Sequence, residues 1–278
     1  MIDKQRVGLN RVISPSLSLA DFYGLASSLG IGKVEIRNDL GGKDPIDGLE
    51  AAEASRLAAD HGVEVISINA LQKFNLAAVR RKATAELEAL LELAQAIGCK
   101  AVVLCPNNDP ADARGSPERL AETIDALAAF GPLFRDAGVL GYLEPLGFGI
   151  SSLASLVVAQ EAIEESGQAC YRVVYDTFHH YIGPDDAGIF GKGYDIATTG
   201  LVHISGVEAG IARDAYRDEH RVLPGPGDTM NSKQQMAALD ELGYRGNFSF
   251  EAFSPVIQKL GKADLAAALH KSLDYVLS

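Results

Sequence analysis

This sequence is short of positive charge. Lys and Arg number 25 against 37 Asp and Glu, giving a net charge of −12 and a pI near 4.9. Proteins that grip a phosphate backbone usually present a basic face, so no nucleic-acid partner is expected. The chain also lacks any run of 18 apolar residues, so no membrane span is expected. Its opening stretch, MIDKQRVGLN, has no apolar core of a signal peptide. The three cysteines, Cys99, Cys105 and Cys170, are odd in number and without paired spacing. They read as reduced side chains of a cytoplasmic protein. No Pro/Ser-rich linker or low-complexity segment interrupts residues 1–278, which favours one domain.

What the chain does have is a recurring phrase of amphipathic helix, glycine and short apolar strand. It reads SSLG-IGKVEIR, ADHG-VEVISIN, QAIGC-KAVVLC, RDAG-VLGYLE, EESG-QACYRVVYD, TTG-LVHIS and DELG-YRGNFSFE. The glycines are Gly30, Gly62, Gly98, Gly138, Gly167, Gly200 and Gly243. A glycine there can take the left-handed conformation that closes a helix. The helical parts carry their own signals. Ser18 with Asp21 is a variant capping box, Ser116-Pro117 reads as a capping hydroxyl followed by the first helical residue, and Leu265, Leu269, Leu273 and Val276 stripe a last helix.

Hydrophobic residues make up 47% of the chain, and the apolar runs are short and continuous, as parallel strands covered on both faces require. About eight are expected, near residues 7, 34, 64, 101, 140, 172, 201 and 248. Eight strands alternating with helices make an α/β protein of the (β/α)8 TIM-barrel type. An open doubly wound sheet is the alternative, but no Gly-rich dinucleotide fingerprint follows the first strand.

In a (β/α)8 barrel the reactive groups sit at the C-terminal strand ends. Those ends carry Glu35 and Arg37, Asn69, Cys105 to Asn107, Glu144, Asp176, His203 and Glu251. A charged group inside an apolar strand is costly unless paired or ligated. Four consecutive strands ending in Glu144, Asp176, His203 and Glu251 therefore point to one divalent metal. The oxygen-rich set suits Mn²⁺, Mg²⁺ or Co²⁺, with Zn²⁺ as the alternative. The competing explanation makes each a lone salt-bridged core residue.

The segments LEP at Glu144, DTFH at Asp176, VHIS at His203 and FEAF at Glu251 resemble the metal motifs of the xylose-isomerase-like sugar isomerase/epimerase barrels. INALQKFN, DTFHHY and DEHRVLPGPGD are similar to the 2-keto-myo-inositol (inosose) isomerases within that superfamily. The resemblance implies that Glu144, Asp176, His203 and Glu251 hold the metal. It implies too that His179 and Arg221 contact substrate, with Arg221 reaching in from the loop after the seventh strand. Asn69 and Glu35 are further candidates for substrate binding, Glu35 alternatively for pairing with Arg37. His180 reads as an exposed loop residue. Lys73, where the family pattern has an apolar residue, reads as an exposed lysine or less simply as an electrophile. The stretch Gly206 to Tyr216 also departs from the pattern. The resemblance leaves room for a homo-oligomer built through the outer helices.

The chemistry expected of such a site is isomerisation of a keto-polyol or ketose through an enediolate, with Glu144 and Glu251 as the proton-transferring pair. Hydride shift is the competing route. Ketose 3-epimerisation and inosose dehydration are the near alternatives on the same scaffold. An endonuclease IV-like phosphodiesterase is the distant one, disfavoured by six histidines and the acidic surface.

Overall fold

Each short apolar run becomes a strand, and each amphipathic stretch folds back over it. The computed structural model describes residues 2–278. In order, its main elements are β1 (Val7–Asn10), α1 (Leu19–Ser28), β2 (Lys33–Arg37), α2 (Ala51–Asp60), β3 (Glu64–Gln72), α3 (Arg80–Ile97), β4 (Ala101–Cys105), α4 (Ser116–Ala137), β5 (Leu140–Leu143), α5 (Leu156–Ser166), β6 (Tyr171–Asp176), α6 (Thr177–Ile182), β7 (Thr199–Ile204), α7 (Ser232–Glu241), β8 (Asn247–Phe250), α8 (Pro255–Gln258) and α9 (Lys262–Leu277). Every strand pairs in parallel with the next, and β8 closes on β1, so the eight form a closed barrel. Among the described residues no helix is long and apolar enough to cross a membrane.

Strand alternation divides the apolar side chains into two layers. Val102 and Leu104 of β4 face outward and join the large core that Leu87, Leu91 and Ala94 of α3 cover. Their neighbours Val103 and Cys105 face inward and, with Ile66, Ala70, Val174, Leu201 and Tyr142, plug the barrel. The polar strand ends lie beyond that plug.

The helix signals hold, with two corrections. Ser18 caps α1, accepting from the Asp21 amide at 3.1 Å and donating to its carboxylate at 2.9 Å. Gly98, Gly138 and Gly167 end α3, α4 and α5 in the left-handed conformation, and Gly30, Gly62 and Gly243 also have positive φ. Gly200 does not. It lies inside β7, where a Cβ would come within 2.7 Å of both the Arg172 Cβ and the Tyr142 ring. Ser116 is the first residue of α4 and not its cap, because Gly115 holds the extended capping position. β3 is also longer than expected, since buried Ala70 and Leu71 carry it past Asn69 to Gln72.

Candidate metal centre

The site begins with Asp176. Its Oδ1 accepts the amides of Phe178 at 2.7 Å and His179 at 3.2 Å, so the residue that ends β6 also caps α6. That locks the carboxylate and leaves Oδ2 facing the barrel mouth. Parallel register sets Asp176 beside His203 on β7, while Glu144 and Glu251 are the first residues past β5 and β8. Glu144, Asp176, His203 and Glu251 each bring a ligating atom within 4.8 Å of the others, and all four are buried. Three carboxylates and an imidazole in that space fit a divalent cation that prefers oxygen, and they admit zinc.

His203 is the hub. Its Nδ1 lies 2.7 Å from Glu144 Oε1, 3.4 Å from Glu251 Oε2 and 4.0 Å from Asp176 Oδ2. Its Nε2 lies 3.1 Å from Glu35 Oε2 on the other side. Burial works against a charged imidazole here. The carboxylates of Glu251, Glu35 and Glu144 outweigh it and raise the His203 pKa well above the ordinary histidine range.

The two glutamates that flank this ring respond in opposite directions. Burial pushes Glu144 up to about 7, against the pull of His203 and with the added charge of Glu251. Burial also opposes ionisation of Glu35, yet the charge of His203 and hydrogen bonds from His203 and Ser67 hold it down to about 2. The difference is in the partners. Glu35 Oε2 also accepts from Ser67 and from Asn69 Nδ2 at 2.8 Å, whereas the other oxygen of Glu144 meets only the Cys105 thiol at 3.6 Å.

Two arginines close the cluster. Arg221 Nη2 donates to Asp176 Oδ2 at 2.6 Å and Glu251 Oε2 at 2.9 Å, and its Nη1 reaches Asp218 at 3.3 Å. Arg37 Nη1 donates to Glu251 Oε1 at 2.7 Å while its Nε and Nη2 fork onto Asp39 at 2.7 and 2.8 Å. The Phe253 ring lies 5.3 Å from the Arg37 guanidinium and 4.8 Å from that of Arg221. The expected pairing of Glu35 with Arg37 is thus overturned. Glu251 captures Arg37, and Glu35 spans the barrel to His203.

The remaining candidates divide. Arg221, on the excursion after β7, is buried at the quartet. Asn69 is buried, with Nδ2 committed to Glu35 and Ser67. The His179 ring is buried edge-on against Phe148 and Phe178, at 5.2 and 5.3 Å. Burial and the charge of Arg221 hold its pKa down to about 3, so the ring is neutral at ordinary pH. It is the His179 backbone amide, not the ring, that meets Asp176. His180 belongs to α6 and is half-buried beside Tyr175, not free on a loop. Lys73 is exposed and lies 3.7 Å from Asp109, away from the quartet. A cleft of about 730 Å³ opens on the same face between Phe148, Ile182, Arg217 and Asp218. A second of about 380 Å³ lies beside Arg37, Asp39 and Phe253.

Two participants were missed in the sequence. Asn10 ends β1 and donates to Glu251 at 3.1 Å, so the strand-end criterion applied to it as well. Ser67 stands two residues before Asn69 on the same strand, and the alternation rule would have found it.

Residues 24–275 match the model of a family described as xylose isomerase-like TIM barrel. A solved xylose isomerase domain containing protein from Salmonella typhimurium LT2 is 36% identical, superposes with a TM-score of 0.92, and is matched over 100% of this chain and 99% of its own. The IolI protein solved with a bound zinc atom superposes with a TM-score of 0.89 over 98% of each chain at 21% identity, a likeness of fold. A curated inosose isomerase of Halalkalibacterium halodurans is 27% identical over 201 residues, which are 71% of this chain and 70% of that protein. By sequence and by architecture, then, this chain belongs to the xylose isomerase-like TIM barrel family.

Proposed function

We propose that this protein is a metal-dependent sugar isomerase whose substrate is a keto-inositol, and that it moves a proton between neighbouring carbons. The observation that carries the reading is the buried meeting of Glu144, Asp176, His203 and Glu251 within 4.8 Å at the mouth of the barrel. The inosose isomerase relative supports the choice of substrate. A divalent ion held by these four residues would polarise the substrate carbonyl and stabilise the negative charge left when the adjacent proton departs. Mn²⁺, Mg²⁺ and Co²⁺ suit the oxygen-rich donors, and Zn²⁺ is the ion carried by the IolI protein.

The chain's own groups supply the proton chemistry. Glu144 is the carboxylate of the quartet with the fewest hydrogen bonds, meeting only His203 and the Cys105 thiol, and so is the one placed to take and return a proton. Its Oε2, which faces only the Cys105 thiol, is the atom we assign to that exchange. Glu251 is the second carboxylate of the pair, fixed by Asn10, Arg37 and Arg221. The neutral His179 ring and the Arg221 guanidinium serve to bind substrate oxygens.

The test is ¹H NMR of 2-keto-myo-inositol and a panel of free ketoses in D₂O, with protein stripped of metal and reloaded with each ion. The expected result is metal-dependent conversion of the inosose with deuterium entering the product. Glu144→Gln and Glu251→Gln should each lower turnover by at least about 10²-fold. Near-normal turnover of both variants with metal bound overturns the assignment. Conversion without deuterium uptake replaces proton transfer by hydride shift. C3 epimerisation of ketoses with the inosose untouched overturns the substrate.

A further inference from the structure

We propose that Glu35 is a positioning residue, which holds the imidazole of His203 so that Nδ1 alone faces the metal site. The inference rests on the metal-binding half of the reading above and not on the substrate.

Glu35 has no exposure at all, and it sits on β2, across the barrel from β7. It meets the Nε2 side of the His203 ring, opposite the Nδ1 side that faces Glu144, Asp176 and Glu251. One oxygen, Oε2, takes three hydrogen bonds, from Ser67, from Asn69 Nδ2 at 2.8 Å and from His203 Nε2 at 3.1 Å. Ser67 and Asn69 are themselves joined at 3.0 Å, so the carboxylate rests in a cradle built by one strand. An ionised carboxylate only accepts, so the ring nitrogen facing it must carry hydrogen. A neutral imidazole has one N–H. Fixing it on Nε2 leaves the lone pair on Nδ1, the atom that lies 2.7 to 4.0 Å from Glu144, Glu251 and Asp176. Without Glu35 the ring is free to take the other tautomer, or to turn about its Cβ–Cγ bond and present carbon to the carboxylates. Anchoring a ligating histidine through its second nitrogen is worth about 10- to 100-fold in metal affinity or activity.

Glu35→Met removes the acceptor at nearly constant volume. Glu35→Gln keeps one oxygen, which Ser67 and Asn69 would hold in place. Metal affinity is measured by chelator competition with Zn²⁺, without substrate, and fold is checked by circular dichroism. Long-range ¹H–¹⁵N NMR of the zinc-loaded wild type identifies the protonated nitrogen of His203. The expected results are hydrogen on Nε2 and zinc on Nδ1, a loss of about 10- to 100-fold in affinity for Glu35→Met, and recovery of most of it in Glu35→Gln. The proposal is overturned if zinc occupies Nε2, if folded Glu35→Met binds zinc within twofold of wild type, or if the wild type binds no zinc. Should Glu35→Met not fold, the nitrogen assignment and Glu35→Gln decide. Zinc binding with this pattern but no turnover of any inosose defeats the proposed substrate and leaves Glu35 in place.

Discussion

Lowering the pH from 7 to 6 should weaken divalent-metal binding by about 50-fold, and the number follows from two buried groups. In the metal-free protein His203 is protonated, because the carboxylates of Glu251, Glu35 and Glu144 overcome the effect of burial. Ligation through Nδ1 requires that proton to leave. Glu144, pushed up to about 7, holds a further proton for part of the time. Its share is roughly half a proton at pH 7 and roughly nine-tenths at pH 6, so binding releases about 1.5 protons at the first pH and about 1.9 at the second. Each proton released steepens the dependence by one decade per pH unit. A mean of about 1.7 gives about 50-fold, or about 2.3 kcal/mol. The sign is fixed, since protons compete with the cation and affinity falls as pH falls. Chelator competition with Mn²⁺ from pH 6 to 8 measures the slope, and calorimetry in two buffers of different ionisation enthalpy counts the protons. Glu144→Gln should reduce the slope to about one decade per unit. A change below about threefold between pH 7 and 6 would refute the reasoning, because neither group would then be giving up a proton.

Two further predictions concern stability. Arg221→Met strips the guanidinium from Asp176 and Glu251 and leaves buried carboxylates short of a partner, at a cost of about 3–5 kcal/mol in the metal-free protein. Mn²⁺ should then raise the melting temperature of the variant by more than that of the wild type, and equal gains in a thermal scan would count against the shared site. Gly200→Ala places a Cβ 2.7 Å from the Tyr142 ring and the Arg172 Cβ, and urea unfolding should show a loss of about 1–3 kcal/mol with the metal dependence unchanged.

The barrel was legible because its signals are local. Strand, glycine and helix follow one another along the chain, and a carboxylate or imidazole closing an apolar run is visible in one dimension. Glu144, Asp176, His203 and Glu251 were found in that way. Less legible was where long side chains go once the barrel closes. Glu35 and Arg37 are two residues apart on β2, and proximity in sequence suggested a pair. In three dimensions Arg37 reaches Glu251 and Glu35 reaches His203, because β8 and β7 offer each of them a buried partner. Gly200 shows a different failure. It recurs at the same place in the repeated phrase as the helix-ending glycines, yet it follows a 3-10 turn at Ile196–Thr198 and is needed for its missing side chain, not for its φ. Asn10 escaped notice because an uncharged strand end carries no electrostatic cost that demands explanation.

The charge count around the quartet bears on what such a site accepts. The carboxylates Glu35, Glu144, Asp176 and Glu251 meet two guanidiniums, Arg37 and Arg221, and one imidazole. A divalent ion with a neutral His203 balances the four anions against the two arginines, and nothing is left over. The outer sides of the arginines are already turned to Asp39 and Asp218. The neighbouring cleft adds Asp214, Asp218 and Glu219 against Arg217. A phosphorylated sugar would bring about two negative charges into a site whose cations are all engaged, and uncompensated buried charge is expensive. An uncharged keto-polyol brings hydroxyl and carbonyl oxygens instead. Those can take up hydrogen bonds from Arg221 and His179 without disturbing the balance. The electrostatics of the mouth therefore favour an uncharged polyol or ketose over a phosphorylated one, because both guanidiniums at the quartet already have carboxylates to answer.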